Sequence, residues 1–260
     1  MKHIAIAVLL LLLGCDGKED IPRQSPLQFF EKSVSVMSSV GDQPGQISVP
    51  IDSEGNPLGY LEYLPNGFTT RTDWPIILYW NGQNAGAGNG HSDLVKLTSQ
   101  GLPMLIDEGH DFPAIIISPM TEYKAWKYLD VKPFIDYVRY KYQLNGRVDQ
   151  LYLTGFSGGA GLSFRYLMKY PDDIAASVLV APAIPYPSEW QGDLGIEKVP
   201  TWFVHNSGDP VISVSRSEEW HSTCLTNGWV SELTVLDDPS HYAWRAAYLD
   251  LQAIAWLISH

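Results

Sequence analysis

The stretch Leu151-Tyr152-Leu153-Thr154-Gly155-Phe156-Ser157-Gly158-Gly159-Ala160-Gly161 decides the reading of this chain. A short apolar run leads into Gly-x-Ser-x-Gly, and small residues then open a helical segment. A serine that acts as a nucleophile has to stand on a tight strand-to-helix turn, with its hydroxyl free at the C-terminal edge of a sheet. Side chains at 155 and 159 would collide with neighbouring backbone on such a turn. Ala160 and Gly161 would keep the helix close to the sheet. Two rival glycine loops fit poorly. A phosphate loop would end in Gly-Lys-Ser/Thr, where this chain reads Gly159-Ala160-Gly161-Leu162. A dinucleotide turn would come early in the fold, with an acidic residue about 20 positions further on. A structural glycine turn without chemistry is the remaining alternative.

Working outward, the same buried-strand character recurs at Pro75–Trp80, Ala114–Ser118, Ala176–Ala181, Thr201–His205 and Leu233–Leu236. Continuous apolar strands imply burial on both faces, as in a parallel sheet covered by helices. Helical periodicity lies between them. Ile135, Val138 and Tyr142 share a face with Phe134 beside them, and Ala246, Leu249, Ala253 and Leu257 line one face of a last helix, with Ala247, Leu251, Ile254 and Ile258 beside them. The alternation predicts an α/β domain. Upstream, Ser33–Val40, Gln46–Asp52 and Leu58–Leu64 read as short strands. The turn signals Gly41–Gly45 and Glu54–Pro57 separate them, so antiparallel hairpins are expected there.

The 260 residues suffice for one domain with a tail. With 45% hydrophobic residues, 9 Trp, 14 Tyr and 8 Phe, a packed core is expected rather than disorder. Seventeen Lys and Arg stand against 29 Asp and Glu, a formal charge of −12. A nucleic-acid binder needs a cationic footprint that this chain lacks. An anionic membrane surface would repel the body for the same reason.

A serine nucleophile in this setting takes its acid and base later in the chain, in the order Ser, Asp or Glu, His. Asn206-Ser207-Gly208-Asp209-Pro210 follows one predicted strand, and Asp237-Asp238-Pro239-Ser240-His241 follows the next. Asp209 and His241 are therefore the candidate acid and base, with Asp237 and Asp238 as rival acids nearby. His91, His110, His205 and His221 read as surface or packing residues. The candidate oxyanion donors are the N–H of Gly158 and an N–H from the Asn81-Gly82-Gln83 loop after Trp80, with Gln83 preferred. A flexible loop without catalytic duty is the alternative. No metal cluster and no cofactor motif is legible.

Together these residues resemble the α/β-hydrolase superfamily, and more closely secreted esterases of the feruloyl-esterase and polyhydroxybutyrate-depolymerase-like group. The similarity is carried by Tyr63-Leu64-Pro65 with Trp74 to Gly82, by Val148 to Gly159, and by His241-Tyr242-Ala243-Trp244 leading to Ala247-Tyr248 and Trp256-Leu257. It implies a mostly parallel central sheet flanked by helices, and a serine carboxylic-ester hydrolase acting through an acyl-enzyme on a small-molecule or polymeric ester. Two departures stand out. The family usually has His-Gly where this chain has Asn81-Gly82, and often an acidic residue where it has Tyr242. A serine peptidase of the same fold and a surface-tethered binding protein with a degenerate site are the rival readings. Only Pro182 to Val199 is available for a cap, too short for a helical lid, so an open site is expected. Pro185, Tyr186, Pro187, Trp190, Trp80 and Trp126 would be either aromatic faces for a sugar or aryl group, or packing.

The beginning of the chain resembles a bacterial lipoprotein signal. Lys2 precedes ten apolar residues, Ile4 to Leu13, too few to span a membrane. Leu12-Leu13-Gly14-Cys15 resembles a lipobox. Residues 1–14 are thus read as a signal, Cys15 as the lipidation site, 15–32 as a tether and 33–260 as the domain, exported and lipid-anchored at the cell envelope. Cys224 is then left without a partner and is expected to be a small buried hydrophobe.

Overall fold

The computed structural model describes residues 25, 27–29, 31–32, 45–83, 91–121 and 130–260. The signal, Cys15, the strand expected at 33–40 and Trp126 lie outside the described residues. Eight strands form one sheet: β1 Gly45–Val49, β2 Tyr60–Leu64, β3 Ile76–Trp80, β4 Ile115–Pro119, β5 Leu151–Phe156, β6 Ile174–Val180, β7 Thr201–Asn206 and β8 Ser231–Leu236. Their order is β1-β2-β4-β3-β5-β6-β7-β8. β1 and β2 pair antiparallel, as do β2 and β4, and every later pairing is parallel.

Besides a single turn at His91–Leu94, the α-helices among the described residues are α1 Gly101–Asp107, α2 Lys132–Tyr142, α3 Gly158–Lys169, α4 Ser215–Thr226 and α5 Ala253–Ile258. They explain why the strands read as unbroken apolar runs. Along β3, Ile76, Leu78 and Trp80 join a cluster with Phe134 of α2, Leu162 of α3 and Trp220 of α4. The alternate residues Ile77 and Tyr79 join a second cluster with Leu102 of α1 and Ile254 and Leu257 of α5. Each face of the pleat has its own core. Every fully buried Ile or Leu there contributes about 1.5–3 kcal/mol.

Three sequence expectations change. β8 is not buried on both faces: it is the edge of the sheet, and Val235 is 41% exposed. The last helix is two pieces, a wide turn at Ala246–Asp250 and then α5, separated by Gln252 in the left-handed region at φ 53°. The inward face is consequently Ala247, Tyr248, Ala253, Ile254 and Leu257: of the expected line Ala253 and Leu257 are buried, whereas Ala246 and Leu249 are only partly so. Phe29, in the stretch read as tether, is 1% exposed and packs edge-on against Tyr137, so the folded body reaches back into that stretch. Cys224 is free and fully buried, and burial pushes its thiol up to about 11.

Candidate active site

Ser157 sits between β5 and α3 at φ 56°, ψ −119°, a strained conformation for a residue with a side chain. Neighbouring backbone clamps it there. Its N–H donates to Val180 O at the end of β6 (2.9 Å), and its carbonyl accepts from Gly161 N and Ala183 N (both 3.0 Å). The flanking glycines permit the close approach of β3. A Cβ on Gly155 would lie 2.7 Å from Trp80 O, and one on Gly159 would run into the backbone of Trp80 and Asn81.

The loops after β7 and β8 bring the other two predicted residues to this turn. His241 Nε2 is 2.9 Å from Ser157 Oγ, and His241 Nδ1 is 2.6 Å from Asp209 Oδ2. A carboxylate only accepts, so the Asp209 contact fixes the proton on Nδ1 and leaves the Nε2 lone pair facing the serine. Asp209 Oδ1 accepts from the N–H groups of Val211 (2.8 Å) and Ile212 (3.0 Å). Burial pushes the Asp209 carboxyl up, but the His241 bond and these two N–H donors outweigh it and hold the group below its ordinary value. The rival acids face elsewhere. Asp238 accepts from Ser240 N within its own loop (2.6 Å), and Asp237 is exposed.

The loop before Gln83 packs against the Ser157 turn: a Cβ on Gly159 would lie 2.5 Å from Asn81 O, and one on Gly82 would lie 2.9 Å from the Phe156 ring. Gly158 is the first residue of α3, where a helix leaves its N–H without an intrahelical partner. The Gly82 carbonyl accepts from Asn81 Nδ2 (3.0 Å) and Gln100 Nε2 (3.2 Å). In a trans peptide the N–H opposes the C=O. These two amides therefore set the direction of the Gln83 N–H, and the departure at Asn81 has a structural use.

The Pro182–Val199 stretch holds only single helical turns, Pro187–Glu189 and Gly195–Lys198. Its aromatics mostly pack. Trp190 lies edge-on to Phe164 at 5.3 Å and donates to Asp193 O, and Trp80 is 1% exposed in the core. Tyr186 lies under the Arg216 guanidinium at 4.5 Å and shares a hydrogen bond with Ser215. Phe156, whose ring is 4.7 Å from that of His241, is buried beneath it, and the exposed aromatic ring beside His241 is Tyr242, 6.1 Å away and 56% exposed.

Solved structures match this architecture at low sequence identity. A thermostable esterase superposes with a TM-score of 0.59 at 17% identity, over 84% of this chain and 63% of its own length. A ferulic acid esterase gives 0.57 at 17%, over 84% of this chain and 99% of that one. A propionate-bound esterase from the Planctomycetes species Thermogutta terrifontis gives 0.58 at 14%, over 85% and 94%. The chain has the α/β-hydrolase fold. No family model and no curated protein sequence matches it. This chain spans 63% of the length of the thermostable esterase.

Three residues of this site were not singled out as functional by sequence reasoning. Gln100 is one. Asn206 is another: its Nδ2 donates to Ser240 O (2.8 Å), stitching the loop of Asp209 to the loop of His241. The third, His205, was read as a surface or packing residue. It is fully buried, but its ring is hydrogen-bonded on both nitrogens and one of them faces Asp209. Its place four residues before Asp209 was the only sequence signal available.

Proposed function

We propose that this chain is a serine carboxylic-ester hydrolase working through an acyl-enzyme. The observation that carries the reading is the unbroken Ser157–His241–Asp209 chain, at 2.9 and 2.6 Å, ending on a serine held at φ 56°. Ser157 Oγ attacks the ester carbonyl carbon as His241 Nε2 takes the hydroxyl proton. The carbonyl oxygen becomes an oxyanion, which the N–H groups of Gly158 and Gln83 stabilise. Asp209 holds the imidazolium that forms. Collapse breaks the ester C–O bond, and the leaving alcohol takes its proton from His241. Water repeats the sequence on the acyl-enzyme, releasing the acid and restoring Ser157. The short Pro182–Val199 connection leaves the site open, which suits a bulky or polymeric ester, including sugar-, aryl- or hydroxyalkanoate-linked ones.

The test is turnover of a panel of acetyl-sugar, feruloyl, hydroxybutyrate and short aryl esters beside matched anilides, with wild type and Ser157→Ala. Ester hydrolysis lost in the variant is expected. Anilides turned over as fast as esters would move the assignment to a peptidase. Turnover surviving Ser157→Ala would remove it. We further propose that the enzyme is held at the bacterial envelope by a lipid on Cys15, on the lipobox-like sequence. Fatty-acid labelling of wild type but not Cys15→Ala is the expected result, and equal labelling would refute it.

A further inference from the structure

We propose that His205 is a positioning residue for this site: a second histidine that fixes the Asp209 carboxylate from the side opposite His241. The inference rests on the triad reading above. His205 is the fifth residue of β7, four residues before Asp209, and both side chains are fully shielded from solvent. Its Nε2 lies 3.0 Å from Ile212 O and 3.2 Å from Asp209 Oδ2. Both oxygens only accept, so the ring proton is on Nε2 and is shared between them. Nδ1, 2.8 Å from Ser217 Oγ on α4, then accepts from that hydroxyl.

This completes the environment of Asp209. Oδ1 takes the N–H groups of Val211 and Ile212, and Oδ2 takes the ring N–H groups of His241 and His205. Four donors occupy the four lone-pair positions of one carboxylate, and its rotation about the Cβ–Cγ bond is locked. The His205 bond to Ile212 O also ties down the loop that delivers two of those donors. A hydroxyl on Nδ1 lets His205 remain neutral, so the Asp209 charge is left for the imidazolium on His241. Orientation thus passes from Ser217 through His205 and Asp209 to His241, and a misplacement of about 1 Å in such a chain can cost about 100-fold in rate.

The experiment compares two conservative variants of the full chain. His205→Gln places an amide donor at the level of Nε2. His205→Asn reaches only the level of Nδ1 and leaves Asp209 Oδ2 with one donor. The readouts are kcat and KM for p-nitrophenyl acetate and the low-field proton resonance of the His241 Nδ1–H bond to Asp209. The Asn variant is expected to lose about 10- to 100-fold in kcat with KM little changed and its resonance displaced; the Gln variant is expected to stay within about threefold with the resonance in place. Equal kcat in the two folded variants, each with the wild-type resonance, would overturn the proposal and leave His205 a packing residue. If the Asn chain does not fold, Ser217→Ala carries the test, because it removes the group that holds the His205 tautomer. A displaced resonance and lower kcat support the role, and wild-type values of both refute it. Fluorophosphonate labelling of the wild type runs alongside. Label on Ser157 with no difference between the variants sinks this inference alone, whereas a folded wild type that takes no label sinks the triad reading and this one with it.

Discussion

Two buried polar constellations lie at different parts of the sheet, and they are built to different ends. At the C-terminal ends of β5, β7 and β8 stand Ser157, Asp209 and His241. At the antiparallel side, Lys141 of α2 is 2.9 Å from Glu54, 2.8 Å from Glu62 of β2 and 2.7 Å from Tyr60 Oη. Tyr137 donates to Glu54, Tyr142 donates to Glu62, and Lys32 closes the group from the surface. Each ammonium proton of Lys141 has a partner, and Lys141 is held above its ordinary value because its two carboxylates and nearby Tyr137 outweigh burial. A cleft of about 260 Å³ adjoins it, but the charged side chains lining it are already paired with one another. The triad differs by two features. Ser157, the proposed nucleophile, sits on strained backbone, and the chain of bonds ends at this partly exposed serine. Buried charge alone does not mark a site; strain together with a reactive group left facing outward does.

Substitutions can break that contrast from either side. The largest effect is expected at the triad. Ser157→Ala should lower kcat by about 10⁴- to 10⁶-fold with no loss of melting temperature, measured by ester turnover and circular dichroism. Asp209→Asn should cost about 10⁴-fold, because an amide in that place lets His241 adopt the wrong tautomer. A loss below tenfold would show that Asp209 is not the acid.

At the paired cluster the result should be inverted. Lys141→Met leaves two buried carboxylates without their cation and should destabilise the fold by about 3–5 kcal/mol, while kcat per folded molecule stays unchanged. Denaturant unfolding beside kcat measures both. Adding Glu54→Gln and Glu62→Gln to Lys141→Met should recover much of the loss, since a neutral cluster has no unpaired charge to bury. A triad stripped of charge in the same way would not recover activity.

A smaller effect sharpens the comparison at the oxyanion corner. Gln100→Leu leaves the Gly82 carbonyl held by Asn81 Nδ2 alone and should lower kcat by about 10-fold, far less than Ser157→Ala, with KM little altered. An equal loss in kcat and rise in KM would place Gln100 in substrate binding instead.

The smallest effect is one of pH on stability. Burial holds His205 below its ordinary value of about 6.5, against the pull of Ile212 O and Asp209. The folded chain keeps it neutral where the unfolded chain takes up a proton, so unfolding binds protons in that window. Stability should therefore fall as pH drops from about 6.5 toward the folded-state value, with no contribution from this group above it. Asp209 acts lower down: held below the ordinary value of about 3.9, it contributes fully above that pH and loses its contribution as pH falls through its folded value. Melting curves between about pH 7 and 5 should be shallower for His205→Gln than for wild type, and identical slopes would refute the assignment.

Much of this was legible in the sequence because the signals are local. Gly155-x-Ser157-x-Gly159 after an apolar run states its own geometry, and the chain order of Asp209 and His241 follows from the ends of successive strands. What was not legible depends on closure of the fold. Whether Leu233–Leu236 is a covered strand or an edge is decided by what lies beside it. The break at Gln252 interrupts a periodicity that is helical on paper. His205, Asn206 and Gln100 look like ordinary polar residues until the loops they hold are brought within 3.5 Å. The partners of Lys141 lie more than 75 positions away, beyond the reach of any periodicity.

The most direct measurement is labelling of the full chain with a fluorophosphonate, wild type beside Ser157→Ala, with the modified peptide identified by mass. The expected result is an adduct on Ser157 in the wild type and none in the variant. A folded wild type that takes no label, or a variant that labels equally well, would contradict the assignment of Ser157 as an activated nucleophile.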